Sequence, residues 1–171
     1  KVAPALAGGN GVVLKPSALA PLSSAFLCKA LLEAGLPPEL LALVHGGGSG
    51  VGTAAIQLLR EAGASVYVTA GSDEKCRRCV EMGATAAINY KTEDFAARIK
   101  DLTGGRGVDA ILDSIGGPYF TGNVASLAVG GRLVIIGLTG GASSEINLAT
   151  LMLKRLHVVG STLRARSVAE K

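Results

Sequence analysis

Apolar residues along this chain fall in short blocks separated by segments of helical period, and the blocks read as strands. The candidates are Val12–Lys15, Leu41–His45, Ser65–Thr69, Ala86–Asn89, Asp109–Ser114, Arg132–Gly137 and His157–Leu163. Most are continuous runs, not alternating ones, which is the pattern of strands covered on both faces of a parallel sheet. The intervening segments carry helix signals. Ala20–Ala34 has Pro21 in its first turn and ends at Gly35 before Pro37-Pro38. Gly50–Ala62 sets Val51, Ala55, Leu58 and Ala62 on one stripe and ends at Gly63. Ser72 is placed to cap a helix reaching Met82, with Asp73 and Glu74 near its positive end. Thr92–Leu102 stops at Gly104-Gly105, and Tyr119–Leu127 is a shorter helix. Strands alternating with helices predict right-handed crossovers and an α/β fold: a Rossmann-type doubly wound parallel sheet in three α/β/α layers. Residues 1–171 read as a single domain.

Composition narrows the picture. Apolar residues are 49% and charged residues 18%, a balance that supports a packed core and excludes a disordered chain. The net charge of +4 suits an anionic ligand, yet no dense Lys/Arg run or aromatic-studded basic strand points to nucleic acid. The cysteines Cys28, Cys76 and Cys79 are odd in number and sparse, which argues for a reducing, cytoplasmic setting. No signal peptide or run of about 18 apolar residues appears, so no membrane association is expected. Both ends of the sequence read as those of a fragment.

The chemistry centres on Leu43-Val44-His45-Gly46-Gly47-Gly48-Ser49-Gly50-Val51-Gly52. A strand enters a glycine-rich turn and a helix leaves it. Such a turn brings free N–H groups and the positive end of the helix dipole to an anion, as a dinucleotide pyrophosphate requires. Gly47, Gly50 and Gly52 are the candidates in this loop. The same spacing fits short-chain dehydrogenases, but those need Tyr-xxx-Lys. Tyr67, Tyr90 and Tyr119 are followed four residues on by Gly71, Asp94 and Asn123, which disfavours that family.

An NAD site carries Asp or Glu at the tip of its second strand, to accept from the ribose 2′-hydroxyl. Here that strand ends Val68-Thr69-Ala70-Gly71-Ser72, and Lys75 follows one turn into the next helix. Gly71, Ser72 and Lys75 suit a 2′-phosphate, so NADP(H) is the expected cofactor. Asp73 complicates this, because its charge opposes that of Lys75.

From Leu43 to Lys171 the sequence resembles zinc-independent quinone oxidoreductases of the medium-chain dehydrogenase superfamily. The resemblance rests on the loop above, on Val68-Thr69-Ala70-Gly71-Ser72 and on Ala87-Ile88-Asn89-Tyr90. It continues in Gly107-Val108-Asp109-Ala110-Ile111-Leu112-Asp113-Ser114-Ile115-Gly116-Gly117 and in Gly130-Gly131-Arg132-Leu133-Val134. It adds Ser49 and Val51 to the loop candidates and implies that Ser49, Gly50 and Val51 lie at the pyrophosphate. It implies strand order 3-2-1-4-5-6, with Tyr90 near the adenosine, Asp113 and Ser114 near a ribose, and Gly137 and Leu138 near the nicotinamide. It also implies a homodimer paired through the edge strand His157–Leu163.

The sequence shows no counterpart of that family's N-terminal catalytic domain. Instead, Pro4-Ala5-Leu6-Ala7-Gly8-Gly9-Asn10-Gly11-Val12-Val13-Leu14-Lys15-Pro16-Ser17 and Leu31-Leu32-Glu33-Ala34-Gly35-Leu36-Pro37-Pro38 resemble an aldehyde dehydrogenase cofactor-binding segment. That family's catalytic cysteine and glutamate segments have no counterpart. The reading is a chimera: residues 1–45 aldehyde-dehydrogenase-like, residues 46–171 quinone-oxidoreductase-like. No catalytic residue is assigned. The Cys76/Cys79 pair, on a predicted helix without further ligands, reads as structural, and no metal is expected. His45 reads as structural too. Three functions stay open: an NADP(H)-binding module, a weak NADPH-dependent quinone or enone reductase, or a folded chimera that binds no cofactor.

Overall fold

A computed structural model describes residues 39–162. The expected strand Val12–Lys15, the helix Ala20–Ala34, Cys28 and the last residue of the strand His157–Leu163 lie outside them.

Six parallel strands form one sheet: β1 (Leu41–His45), β2 (Ser65–Ala70), β3 (Ala86–Asn89), β4 (Val108–Asp113), β5 (Leu127–Ile135) and β6 (His157–Gly160). Their order is β3-β2-β1-β4-β5-β6, the doubly wound order that the resemblance implies. The helices are α1 (Gly50–Glu61), α2 (Asp73–Glu81), α3 (Phe95–Leu102), α4 (Phe120–Ser126) and α5 (Leu148–Lys154), with a 3-10 turn at Gly117–Tyr119 before α4.

Both faces of the sheet are covered, which is why its strands read as continuous apolar runs. Adjacent residues of a strand point to opposite faces, so neighbours fall into different cores. Val44, Val68 and Leu112 pack with Ile56 and Leu59 of α1, while Leu43, Ile88 and Ile111 pack with Ile99, Phe120 and Val124 on the other side.

Local differences from the sequence reading have physical causes. The buried face of α1 is Gly52, Ala55, Ile56 and Leu59, rotated from the expected stripe, and Val51 and Leu58 border it. The rotation follows from Gly52, whose missing side chain lets the helix lie against the loop. Asp94 starts α3 later than expected, its carboxylate accepting from the N–H groups of Ala96 and Ala97. β5 begins at Leu127 and not at Arg132: Leu127 pairs with Val108, a bulge intervenes, and pairing resumes at Arg132 with Ala110. Gly130, at φ +78°, lies in that bulge, ahead of the start expected at Arg132. α5 went unpredicted. It is capped by Asn147, with Leu148, Met152 and Leu153 largely exposed, so its apolar residues show no buried stripe. Lys154, at its end, reaches across to the carbonyls of Val124, Ala125 and Leu127 and satisfies the end of α4.

Candidate cofactor-binding site

The carboxyl ends of β1, β2 and β4 open on one edge of the sheet, the position where parallel α/β sheets take ligands. The loop after β1 is held from beneath. The Gly47 N–H donates to the Thr69 carbonyl at 2.9 Å, and the Ser49 N–H donates to the Gly46 carbonyl at 2.8 Å. Gly46 sits at φ +73°, where glycine is favoured. A Cβ on Gly47 would lie 2.8 Å from the Val68 Cβ, and one on Gly52 would lie 2.3 Å from the Gly46 carbonyl oxygen. The glycines therefore let loop, helix and strand close on one another.

Ser49 caps α1, its hydroxyl accepting from the Gly52 N–H at 3.0 Å. The Thr53 N–H is taken by the Ser49 carbonyl. The first-turn amides of Gly50 and Val51 have no acceptor within the helix and stand at its positive end, where an anion is favoured.

At the tip of β2, Ser72 caps α2 and accepts from the Lys75 N–H at 3.3 Å. The stem of Lys75 lies over the loop, its Cδ 3.4 Å from where a Gly48 Cβ would stand. Asp73 is turned aside, accepting from the Asn89 side-chain amide at 2.7 Å. Tyr90 closes over Gly71, its hydroxyl 2.7 Å from the place of a Gly71 Cβ. Lys75, Ser72, Gly71, Tyr90 and the glycine loop thus come together, with the Asp73 carboxylate bonded to Asn89 beside them.

Asp113, fully buried at the end of β4, holds the next turn. Its carboxylate accepts from the N–H groups of Ile115 at 2.7 Å and Gly116 at 3.2 Å, and from the Asn123 side-chain amide at 3.0 Å. Asp113 therefore shapes the loop that a ribose would meet and points no carboxylate at solvent. Ser114 offers its carbonyl to the Thr139 N–H and hydroxyl, tying the loop after β5 beside that turn. In that loop Gly137 packs on Ser114, and the half-exposed Leu138 packs on Gly116.

His45, structural in the sequence reading, is a buried polar group beneath these loops, and its partners were not legible in the sequence. The His45 ring bonds Thr69 Oγ1 at 3.0 Å and Asn123 Oδ1 at 2.6 Å. It stands edge-on to the rings of Phe95 and Tyr119, at centroid distances of 4.9 and 4.8 Å. Burial pushes its pKa below the usual value, against the Asn123 bond and the Asp113 charge, which both raise it. Tyr119 also faces Tyr90, edge to face, and extends the wall of the crevice. The signal for His45 was its place at the end of a strand covered on both faces. Nothing in the sequence linked it to Asn123.

The zinc-binding dehydrogenase family model matches residues 50–171. The chain belongs to the zinc-binding dehydrogenase family. The aldehyde dehydrogenase family model matches residues 1–92, so the two matches overlap through α1, β2, α2 and β3. Quinone oxidoreductase from Rattus norvegicus is 35% identical over 121 residues, which are 71% of this chain and 36% of that protein. A phenolphthiocerol/phthiocerol polyketide synthase from Mycobacterium tuberculosis is 39% identical over 108 residues, 63% of this chain and 5% of that protein. Among solved structures, Escherichia coli quinone oxidoreductase complexed with NADPH superposes with a TM-score of 0.73 at 30% identity. The match covers 81% of this chain and 43% of that one. The chain thus spans about a third of the length of the curated quinone oxidoreductase it matches.

The zinc of the family's name finds no ligand set among the described residues. No group of three or more His, Cys, Asp or Glu is placed there to hold a metal ion. Cys76 and Cys79 are free thiols whose pKa values burial raises, which disfavours the thiolate a metal needs. His45 has both ring nitrogens engaged. The described residues do not fit zinc. No described helix is long and apolar enough to cross a membrane.

Proposed function

We propose that this chain is the NADP(H)-binding Rossmann module of a quinone-oxidoreductase-like enzyme. The observation that carries the reading is the tip of β2. Lys75 lies across the glycine loop while the Asp73 carboxylate is bonded to Asn89, which supports Lys75 as the group that meets a 2′-substituent. In this reading Gly47, Ser49, Gly50, Val51 and Gly52 form the pyrophosphate cradle. Gly71, Ser72 and Lys75 take the 2′-phosphate, Tyr90 flanks the adenosine, Asp113 and Ser114 shape the ribose loop, and Gly137 and Leu138 border the nicotinamide.

When bound, NADPH supplies a hydride from its nicotinamide ring to an acceptor such as a quinone or an enone. The described residues bind and orient. None is assigned to proton transfer. The free thiols Cys76 and Cys79 suit a reducing, cytoplasmic setting. The resemblance of residues 1–45 to aldehyde dehydrogenases supports a chimeric origin for the N-terminal segment.

Calorimetric titration of the protein with NADPH and with NADH tests the cofactor. Lys75→Ala is expected to weaken NADPH binding about tenfold, near 1.4 kcal/mol, and to leave NADH unchanged. Equal loss for both cofactors would remove Lys75 from the 2′-phosphate site. No heat with either would overturn the reading.

The edge of the sheet supports a homodimer. All four residues of β6 are exposed, and Val158 and Val159 join Met152 and Leu153 of α5 in an apolar surface. Among the described residues β6 is the last strand of the sheet, and an apolar edge strand is a template for a second copy. Sedimentation should show a dimer that Val159→Lys converts to monomer. A wild-type protein that stays monomeric across concentrations counts against the pairing.

A further inference from the structure

The polarity of the hydrogen bonds around His45 can be read from the two ends inward. At one end, the Asn123 side-chain N–H donates to Asp113 Oδ2, a carboxylate oxygen that only accepts. That fixes Asn123 Oδ1 as an acceptor, so at 2.6 Å the His45 Nε2 must be the N–H donor. At the other end, the Gly46 backbone N–H donates to Thr69 Oγ1 at 3.3 Å, and the hydroxyl lies 3.0 Å from His45 Nδ1. A neutral ring protonated on Nε2 has a bare Nδ1, and the Thr69 hydroxyl donates to it. Every link then has one donor and one acceptor, and the chain runs unbroken from Gly46 through Thr69, His45, Asn123 and Asp113 to the N–H groups of Ile115 and Gly116.

The two ends of this chain are backbone amides of the loop after β1 and of the turn after β4, which stand on either side of the crevice. We infer that Thr69, His45 and Asn123 are positioning residues that lock those two loops into one unit, so that the dinucleotide meets a preset cradle. The functional part of this inference rests on the cofactor reading above. The coupling of the loops does not. All three residues are buried, which makes an unmade bond costly and the relay a strong constraint. A proton added to Nδ1 would turn the bond to Thr69 around and leave the Thr69 hydroxyl hydrogen in need of another acceptor. The groups facing the ring are Thr69 on β2, Asn123 on α4, Asp113 on β4, Phe95 on α3 and Tyr119 on the 3-10 turn. Asp113 is separated from the ring by the Asn123 amide.

The test uses Thr69→Val, which keeps the shape of the side chain and removes its hydroxyl, and Thr69→Ser, which restores the hydroxyl. Amide hydrogen exchange is measured on the protein without cofactor. Thr69→Val should speed exchange at Ile115 and Gly116, across the sheet from the substitution, by about tenfold. Thr69→Ser should hold it near the wild-type rate. The NADPH dissociation constant should rise about tenfold in Thr69→Val and recover in Thr69→Ser. Faster exchange confined to Gly46 would overturn the coupling. If wild-type protein binds no NADPH while the exchange pattern holds, the cofactor reading fails and the locking of the loops stands. Should Thr69→Val not fold, nitrogen NMR of the wild-type His45 ring decides: a proton on Nε2 supports the relay, and one on Nδ1 overturns it.

Discussion

Gly52→Ala is expected to abolish NADPH binding, by at least about a hundredfold or roughly 2.7 kcal/mol. The added methyl would stand 2.3 Å from the Gly46 carbonyl oxygen and 2.6 Å from the Gly47 Cα, both backbone atoms of the loop that must hold the phosphates. No rotamer change relieves a clash with backbone. The loop cannot retreat inward either: Gly47 is bonded to the Thr69 carbonyl and packs on Val68 and Cys79. The methyl must therefore push α1 and its cap apart, turning the Gly50 and Val51 amides off their target. Overpacking of this kind also costs about 1–3 kcal/mol of stability. Gly48→Ala is the control, since its methyl would meet only the flexible Lys75 stem at 3.4 Å. Calorimetry and thermal unfolding on both variants check the expectation. NADPH binding in Gly52→Ala within about threefold of wild type would show that these amides are not the phosphate site.

The order of the sheet and the course of its glycine loop were legible because they depend on local signals. Val44 and Leu43 pack on opposite faces, and that alone makes a covered strand look continuously apolar. Ser72 caps α2 as its sequence promised, because a cap bonds only three residues ahead. Features that depend on distant partners were hidden. The start of β5 was expected at Arg132 because nothing local says that Leu127 will pair with Val108. The bond between Asp73 and Asn89 was hidden because one comes from α2 and the other from β3. The same holds for the relay. His45, Thr69, Asp113 and Asn123 come from β1, β2, β4 and α4, and no sequence spacing brings them together. A buried histidine at the end of an apolar strand was the one clue that a polar partner had to be supplied from elsewhere.

Asp113→Ala should cost about 3–5 kcal/mol of unfolding free energy, the second large effect. The carboxylate is fully buried and accepts from three N–H groups: those of Ile115 at 2.7 Å, Gly116 at 3.2 Å and the Asn123 side chain at 3.0 Å. Alanine leaves them facing a void. Each unsatisfied buried donor costs about 1–3 kcal/mol, and neighbours in one network do not add independently. Gly116, at φ +88°, depends on this anchoring to hold its turn. Denaturant unfolding should show a lower midpoint with an unchanged slope. A loss under about 1 kcal/mol would mean that water replaces the carboxylate and that the turn holds itself. Asp113→Asn should be milder for a specific reason. Its amide keeps one oxygen for Ile115 and Gly116, but its NH2 would confront the Asn123 NH2. Rotating the Asn123 amide end for end removes that conflict and presents its NH2 to His45 Nε2. The ring must then carry its proton on Nδ1 and donate to Thr69 Oγ1, which becomes the acceptor for both His45 and Gly46. The bonds from residue 113 to Asn123, from Asn123 to His45 and from His45 to Thr69 survive with their directions reversed, while the backbone N–H groups of Gly46, Ile115 and Gly116 still donate. Nitrogen NMR should therefore find the His45 proton moved from Nε2 to Nδ1 in Asp113→Asn. An unmoved proton would show that the five groups do not act as one hydrogen-bonded chain.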